Sequence, residues 1–181
     1  MTTVAELIDI KINSRILSFL EDPNNWKQTT CHINGEKVIN ENVRCSYTFN
    51  KHLIFYSKHV TNILNNLNVS NKILDRELIK YETGGKFEKH KDHKINYEHS
   101  YVGLIYIPSD HIGGDLIIYQ ENGNKKIIKT SSDKFKLVIF NVNLYHESTS
   151  VEYGRKYVIK FPIFNKDNSV VDYFVDDQLS D

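Results

Sequence analysis

The stretch Tyr81-Glu-Thr-Gly-Gly-Lys-Phe-Glu-Lys-His-Lys-Asp-His93 carries the only His-x-Asp triplet of the chain, His90-Lys91-Asp92. On a β-strand, residues i and i+2 point to the same face, so an extended reading lets His90 and Asp92 offer a ring nitrogen and a carboxylate oxygen to one point in space. That is two thirds of a metal site. A histidine from a distant strand would complete the 2-His-1-carboxylate set that holds non-haem Fe(II) with coordination positions left open. The triplet alone does not separate this reading from a solvated polar strand in the Lys-rich run 86–94. His93 and His99 are rival ligands close by, although His93 has the opposite strand parity from His90.

The second half of the chain supplies the context. From Arg76 onward, short β-branched and aromatic runs alternate with turn signals, as all-β barrels and sandwiches require. Strands are expected near 77–82, 87–93, 100–107, 115–120, 125–129, 135–140, 144–148 and 155–164, with 170–174 as a possible edge. Between the apolar runs Lys136-Leu-Val-Ile-Phe140 and Tyr157-Val-Ile-Lys-Phe161 lies Asn143-Leu-Tyr-His146-Glu-Ser-Thr-Ser-Val-Glu-Tyr-Gly154-Arg155-Lys156. His146 is therefore a candidate third ligand.

The ordered set Tyr81, Gly85, Phe87, His90-x-Asp92, then Gly113-Gly114-Asp115-Leu116, then His146 followed by a cation, resembles the Fe(II)/2-oxoglutarate-dependent dioxygenases, and within them the prolyl 4-hydroxylase branch. The resemblance runs over residues 44–164. It implies a mainly β (α+β) fold, a double-stranded β-helix or jelly roll with buttressing N-terminal helices. It implies Fe(II) on His90, Asp92 and His146, with 2-oxoglutarate and O2 as cosubstrates, succinate and CO2 as coproducts, and room for ascorbate as an accessory reductant. The far carboxylate of 2-oxoglutarate needs a cation, since an unpaired buried charge is costly. Lys156, ten residues after His146, matches the prolyl 4-hydroxylase spacing, and Arg155, at nine, matches that of related oxygen-sensing hydroxylases. Only one of the two can face inward. Tyr106 matches a family tyrosine that reaches the same carboxylate, though a core aromatic reads equally well there, and Tyr81 matches one near the metal-proximal end.

Arg44, in Arg44-Cys45-Ser46, resembles the Arg-x-Ser element near the substrate groove, against the plainer reading of a surface arginine. Gly113-Gly114 reads as a turn needing glycine dihedrals, with no catalytic weight. One departure is Ser150, where the family often has proline. The resemblance implies a peptide or protein substrate, proline-rich and hydroxylated on proline. Lysyl residues, a small molecule and a catalytically inactive jelly-roll binding module are the alternatives.

Composition agrees. A chain of 181 residues with 40% hydrophobic and 12% aromatic residues suits one globular domain, 1–181, with a helical and hairpin part over about 1–75 and a catalytic core over about 76–175. A formal charge of zero disfavours nucleic acid as a partner. Cys31 and Cys45 form no CxxC, so neither a disulfide framework nor a zinc knuckle is indicated. No signal-like segment or membrane span is visible, which makes a cytoplasmic location the expectation. The sequence carries no signal for oligomeric state.

Ahead of the core, Val4, Leu7, Ile8, Ile12, Ile16, Leu17 and Leu20 recur near helical spacing before Pro23, and a second helix is expected over 53–67. Asn34-Gly35 reads as a hairpin turn flanked by strands. The acidic tail from Asp176 to Asp181 is expected to fray.

Overall fold

The computed structural model describes residues 2–12, 20–33, 36–49, 55–67, 77–92 and 99–164, with residues 32, 33, 55, 56, 99 and 100 described by backbone alone. Two antiparallel sheets face each other in a jelly-roll sandwich. The larger has the order Thr2–Leu7, Phe135–Asn141, His99–Tyr106, Lys156–Phe164, Glu77–Tyr81, Tyr47–Phe49 and Trp26–Gln28. The smaller runs Lys125–Ile128, Leu116–Tyr119, Tyr145–Ser148, Lys86–His90 and Arg44–Cys45.

Strand alternation divides the apolar residues of the large sheet into two cores. Val102, Leu104, Tyr106, Val138, Phe140 and Val158 face the small sheet and meet Leu116, Ile118 and Ile128 there. Ile105, Leu137, Ile139, Ile159, Phe161 and Ile163 face the other way, toward Val60 and Leu64. Burying side chains of this kind is worth roughly 1.5–3 kcal/mol each. Both faces are covered, and the central strands accordingly read as nearly continuous apolar runs. Gly103 sits opposite Phe161 in the ladder, and a Cβ there would fall 2.3 Å from the ring.

Val60 and Leu64 belong to the helix Lys58–Asn66, shorter than the expected 53–67 because Phe55–Tyr56 is extended and pairs with Lys11–Ile12. Ser57 caps the helix, its hydroxyl accepting from the Val60 amide at 3.2 Å and donating to Asp9 at 2.6 Å. Strands Cys31–Ile33 and Glu36–Val38 pair as the hairpin reading requires, while Asn34 and Gly35 themselves lie outside the described residues.

The expected N-terminal helix is corrected. Residues Thr2–Leu7 form a strand paired along its length with Phe135–Asn141, and Lys11–Ile12 is a second short strand. Residues 13–19, 170–174 and the acidic tail lie outside the described residues. Apolar spacing near 3.6 was overridden by an available sheet edge, where only one face of the new strand is buried. Ile8, counted into the helical stripe, is 77% exposed.

Candidate metal and anion site

His90 and His146 are direct cross-strand partners on the small sheet. The ladder slips by one residue between Phe87 and His90, an irregularity of the kind that re-aims side chains. Phe87 and His90, three apart, consequently share a face and their rings stack at 3.5 Å. The strand expected over 87–93 ends at His90. Asp92 is therefore brought to the histidines by the chain leaving the sheet, and the i, i+2 alternation expected from sequence does not place it.

The ligand atoms of His90, Asp92 and His146 lie within 4.8 Å of one another. The Nε2 atoms stand 3.8 Å (His90) and 3.9 Å (His146) from the Asp92 carboxylate. Each Nδ1 is held by a backbone carbonyl, Glu88 at 2.7 Å and Leu144 at 3.1 Å. A carbonyl only accepts, so Nδ1 carries the proton and the Nε2 lone pair is left facing the carboxylate. Burial, with the neighbouring His146, pushes His90 down to about 3, and burial lowers His146 as well. Both rings are neutral at neutral pH, the form that binds metal. Burial raises the Asp92 carboxyl, but the charge and hydrogen bond of Lys160, joined in acid by the histidines once they are protonated, outweigh it and hold it at about 2. Asp92 Oδ1 accepts from Lys160 Nζ at 2.6 Å, whereas Oδ2 is buried with no hydrogen-bond partner among the described residues. A carboxylate beside two imidazole lone pairs, with one oxygen left without a hydrogen bond, fits a divalent cation.

The same cleft, which encloses about 450 Å3 with its open mouth included, runs to Lys156. Lys156 pairs with Tyr81 across the ladder and is 1% exposed. Its ammonium donates to the Gly114 carbonyl at 2.7 Å and to the Ser148 hydroxyl, and stands 4.2 Å from the Tyr81 ring centroid. Burial pulls it down to about 7, opposed by the charge of Asp115. A shut-in ammonium held by neutral oxygens suits an incoming anion. Arg155, of opposite parity, faces solvent, where it pairs with Glu21 and stands 3.9 Å from Glu82. Tyr81 and Tyr106 line the cleft and are 5% and 3% exposed. Arg44 also lines it, its guanidinium 4.7 Å from the Phe87 ring centroid and 3.6 Å from Glu77. His93 lies outside the described residues, and His99 is described only as strand backbone.

Two features escaped the sequence reading. Lys160 touches Asp92, and its signal was available, since it has the parity of Lys156 on an otherwise apolar strand. The Gly113-Gly114 turn is more than a spacer. Gly114 at φ +68° turns its carbonyl to Lys156, and Thr130, itself hydrogen-bonded to buried His111, donates to the same oxygen at 2.9 Å. A Cβ on Gly114 would stand 2.9 Å from Val151 and 3.4 Å from the ammonium.

A family model described as Poxvirus C4/C10 protein matches residues 6–178, nearly the whole chain. The chain belongs to the poxvirus C4/C10 family. This C4/C10 chain is 28% identical over 115 residues to the uncharacterized protein FPV006/FPV255 of Fowlpox virus (strain NVSL), covering 62% of its own length and 25% of that protein. It thus spans about a quarter of the curated relative. Solved structures share its fold. A prolyl hydroxylase from Trichoplax adhaerens, in complex with a hypoxia inducible factor oxygen degradation domain peptide fragment, aligns with a TM-score of 0.61 at 13% identity, over 88% of this chain and 84% of that one. A prolyl-4-hydroxylase of Pseudomonas putida aligns at 0.56 and 12%, over 86% and 92%. A 2OG-Fe(II) oxygenase family oxidoreductase of Burkholderia pseudomallei aligns at 0.55 and 12%, over 84% and 78%. At these identities the likeness is one of fold.

Proposed function

We propose that this C4/C10 chain is an Fe(II)- and 2-oxoglutarate-dependent oxygenase, with a prolyl residue of a peptide or protein as its substrate. The observation that carries the oxygenase reading is the Asp92 carboxylate, its Oδ2 unpartnered among the described residues, gathered with two imidazole lone pairs in one cleft with a buried ammonium. His90, Asp92 and His146 would hold the ion, their donor set matching non-haem iron. Bound there, Fe(II) would supply the redox chemistry that couples decarboxylation of 2-oxoglutarate and reduction of O2 to insertion of oxygen into a C–H bond.

The protein's own part is to position and desolvate. Lys156 would take the distal carboxylate of 2-oxoglutarate, helped by the hydroxyls of Tyr106 and Tyr81, and the Gly114 carbonyl and Ser148 hydroxyl orient its ammonium for that contact. Leu104, Leu116 and Val158 exclude water around it. The prolyl assignment draws on the sequence pattern and on the peptide complex of the Trichoplax protein, whose fold this chain shares.

Anaerobic addition of Fe(II) and 2-oxoglutarate should produce a weak visible charge-transfer band in the native protein and none in Asp92→Ala. With O2, succinate should form. Proline-containing peptides should gain 16 mass units on proline, and a gain on lysine instead would move the assignment to lysyl residues. One observation favours a second reading, a non-catalytic binding module. Lys160 already gives Asp92 a cation at 2.6 Å, so the fold can close without metal. Absence of both the band and succinate would select that reading.

A further inference from the structure

The iron and 2-oxoglutarate assignment leaves one cation of the cleft without a task. Lys160 lies on the same face of strand Lys156–Phe164 as Lys156 and Val158, and all three line the cleft. Four residues of strand span about 13 Å. Lys156 is shut in at one end of that span, and the Lys160 side chain is 29% exposed at the other, beside Asp92.

The charges can be counted from the contacts. Among the described residues, Arg44, Lys156 and Lys160 line the cleft with the Asp92 carboxylate, and Glu77, 3.6 Å from Arg44 and opposite Lys160 in the ladder, adds a second carboxylate beside them. Glu147 also borders the cleft, but its strand parity is opposite to that of His146. It accepts from the Tyr119 hydroxyl at 2.8 Å, and the Tyr119 ring in turn carries Lys89 at 4.0 Å, so its carboxylate belongs to the outer face of the sheet. A divalent ion adds two positive charges and the 2-oxoglutarate dianion removes two. Among the described residues, one positive charge is left over. The ion would also share the charge of Asp92, weakening the hold of that carboxylate on Lys160.

We propose that Lys160, with Arg44 as the neighbouring cation, is the receptor for a carboxylate on the substrate, so that the site selects molecules with an acidic group close to the C–H bond they offer. This rests on the oxygenase reading. The carboxylate can be the α-carboxylate of a free amino acid or the side chain of an acidic residue beside the target in a peptide. Both present the same anion, and both fit a cation that is half-open to solvent.

The test uses the protein loaded with Mn(II) and 2-oxoglutarate without turnover, loading being verified by calorimetry. Mn(II) broadens the NMR lines of any small molecule bound near it. Two probe pairs are compared: L-proline with L-prolinamide, and acetyl-Pro-Asp-amide with acetyl-Pro-Asn-amide. At least one acidic member should bind about fivefold more tightly than its neutral partner, the scale of a half-exposed ion pair. The pair that discriminates identifies the source of the carboxylate. At equal Mn(II) occupancy, Lys160→Met should abolish the preference and Lys160→Arg should keep it. No preference in either pair overturns the proposal. So does a preference that survives in Lys160→Met, since the carboxylate is then on the ion itself, and so does one lost in both variants, which points to packing instead of charge. Failure to load Mn(II) and 2-oxoglutarate would sink the oxygenase reading and this one with it, whereas loading without discrimination sinks the role of Lys160 alone.

Discussion

At one end of the cleft, two imidazoles and a carboxylate turn their lone pairs inward; at the other, a single ammonium is shut in with neutral oxygens. The first end sits on the small sheet and the chain just beyond it, the second on the large sheet. The two ends invite opposite partners. Among the described residues, Asp92 Oδ2 accepts no hydrogen bond, and the Lys156 ammonium donates to neutral oxygens. A cation would suit the first and an anion the second, and a metal ion with a dicarboxylate supplies both.

The comparison breaks most readily at the metal end. Asp92→Ala should lower Mn(II) affinity at least about 100-fold in calorimetry, since removing even a group behind a ligand commonly costs 10–100-fold. Retained affinity would show that the ion binds elsewhere. At the anchor end, Lys156→Met should weaken 2-oxoglutarate binding about 30-fold or more, the scale of a lost buried charge contact. The same variant should leave the ligand-free protein as stable as before or slightly more so, because an uncompensated buried charge has gone. A large loss of stability without ligand would mean that Lys156 is structural. Gly114→Ala should cost about 1–2 kcal/mol in urea unfolding, from its left-handed φ, and weaken 2-oxoglutarate as its Cβ crowds the ammonium.

The two ends also titrate in separate windows. The folded protein resists protonating His90 until about 3, whereas the unfolded chain takes that proton near 6.5, so ligand-free stability should fall as pH drops through that interval. Lys156 releases its proton near 7 when folded and near 10.5 when unfolded, so stability should rise with pH between those values. Saturating 2-oxoglutarate should flatten the alkaline slope, and an unchanged slope would remove Lys156 from the anchor. The smallest effect is expected at Arg155→Met, within about twofold on 2-oxoglutarate affinity, because exposed pairs contribute little.

The core strands from residue 77 onward were legible because each buries alternating or continuous apolar side chains, so that period and turn signals agree. The N-terminus was misread for a physical reason. Val4, Leu7 and Ile8 suit a helical stripe, but pairing with Phe135–Asn141 supplies backbone hydrogen bonds that no local pattern announces. Asp92 does stand beside the two histidines, but the alternation offered for it does not hold, since the strand ends two residues before it.

Residue chemistry and spacing along the chain determined which side chains are available: two histidines and an aspartate suited to a metal, and two adjacent cations of which only one can face inward. Tertiary structure decided which they are and how they stand. It put Lys156 inside and Arg155 in solvent, used a one-residue slip to set Phe87 and His90 on one face, and brought Lys160 to Asp92 from 68 positions away. Strand parity is written locally, but burial, ladder register and the charge on a neighbouring sheet exist only once the strands have paired.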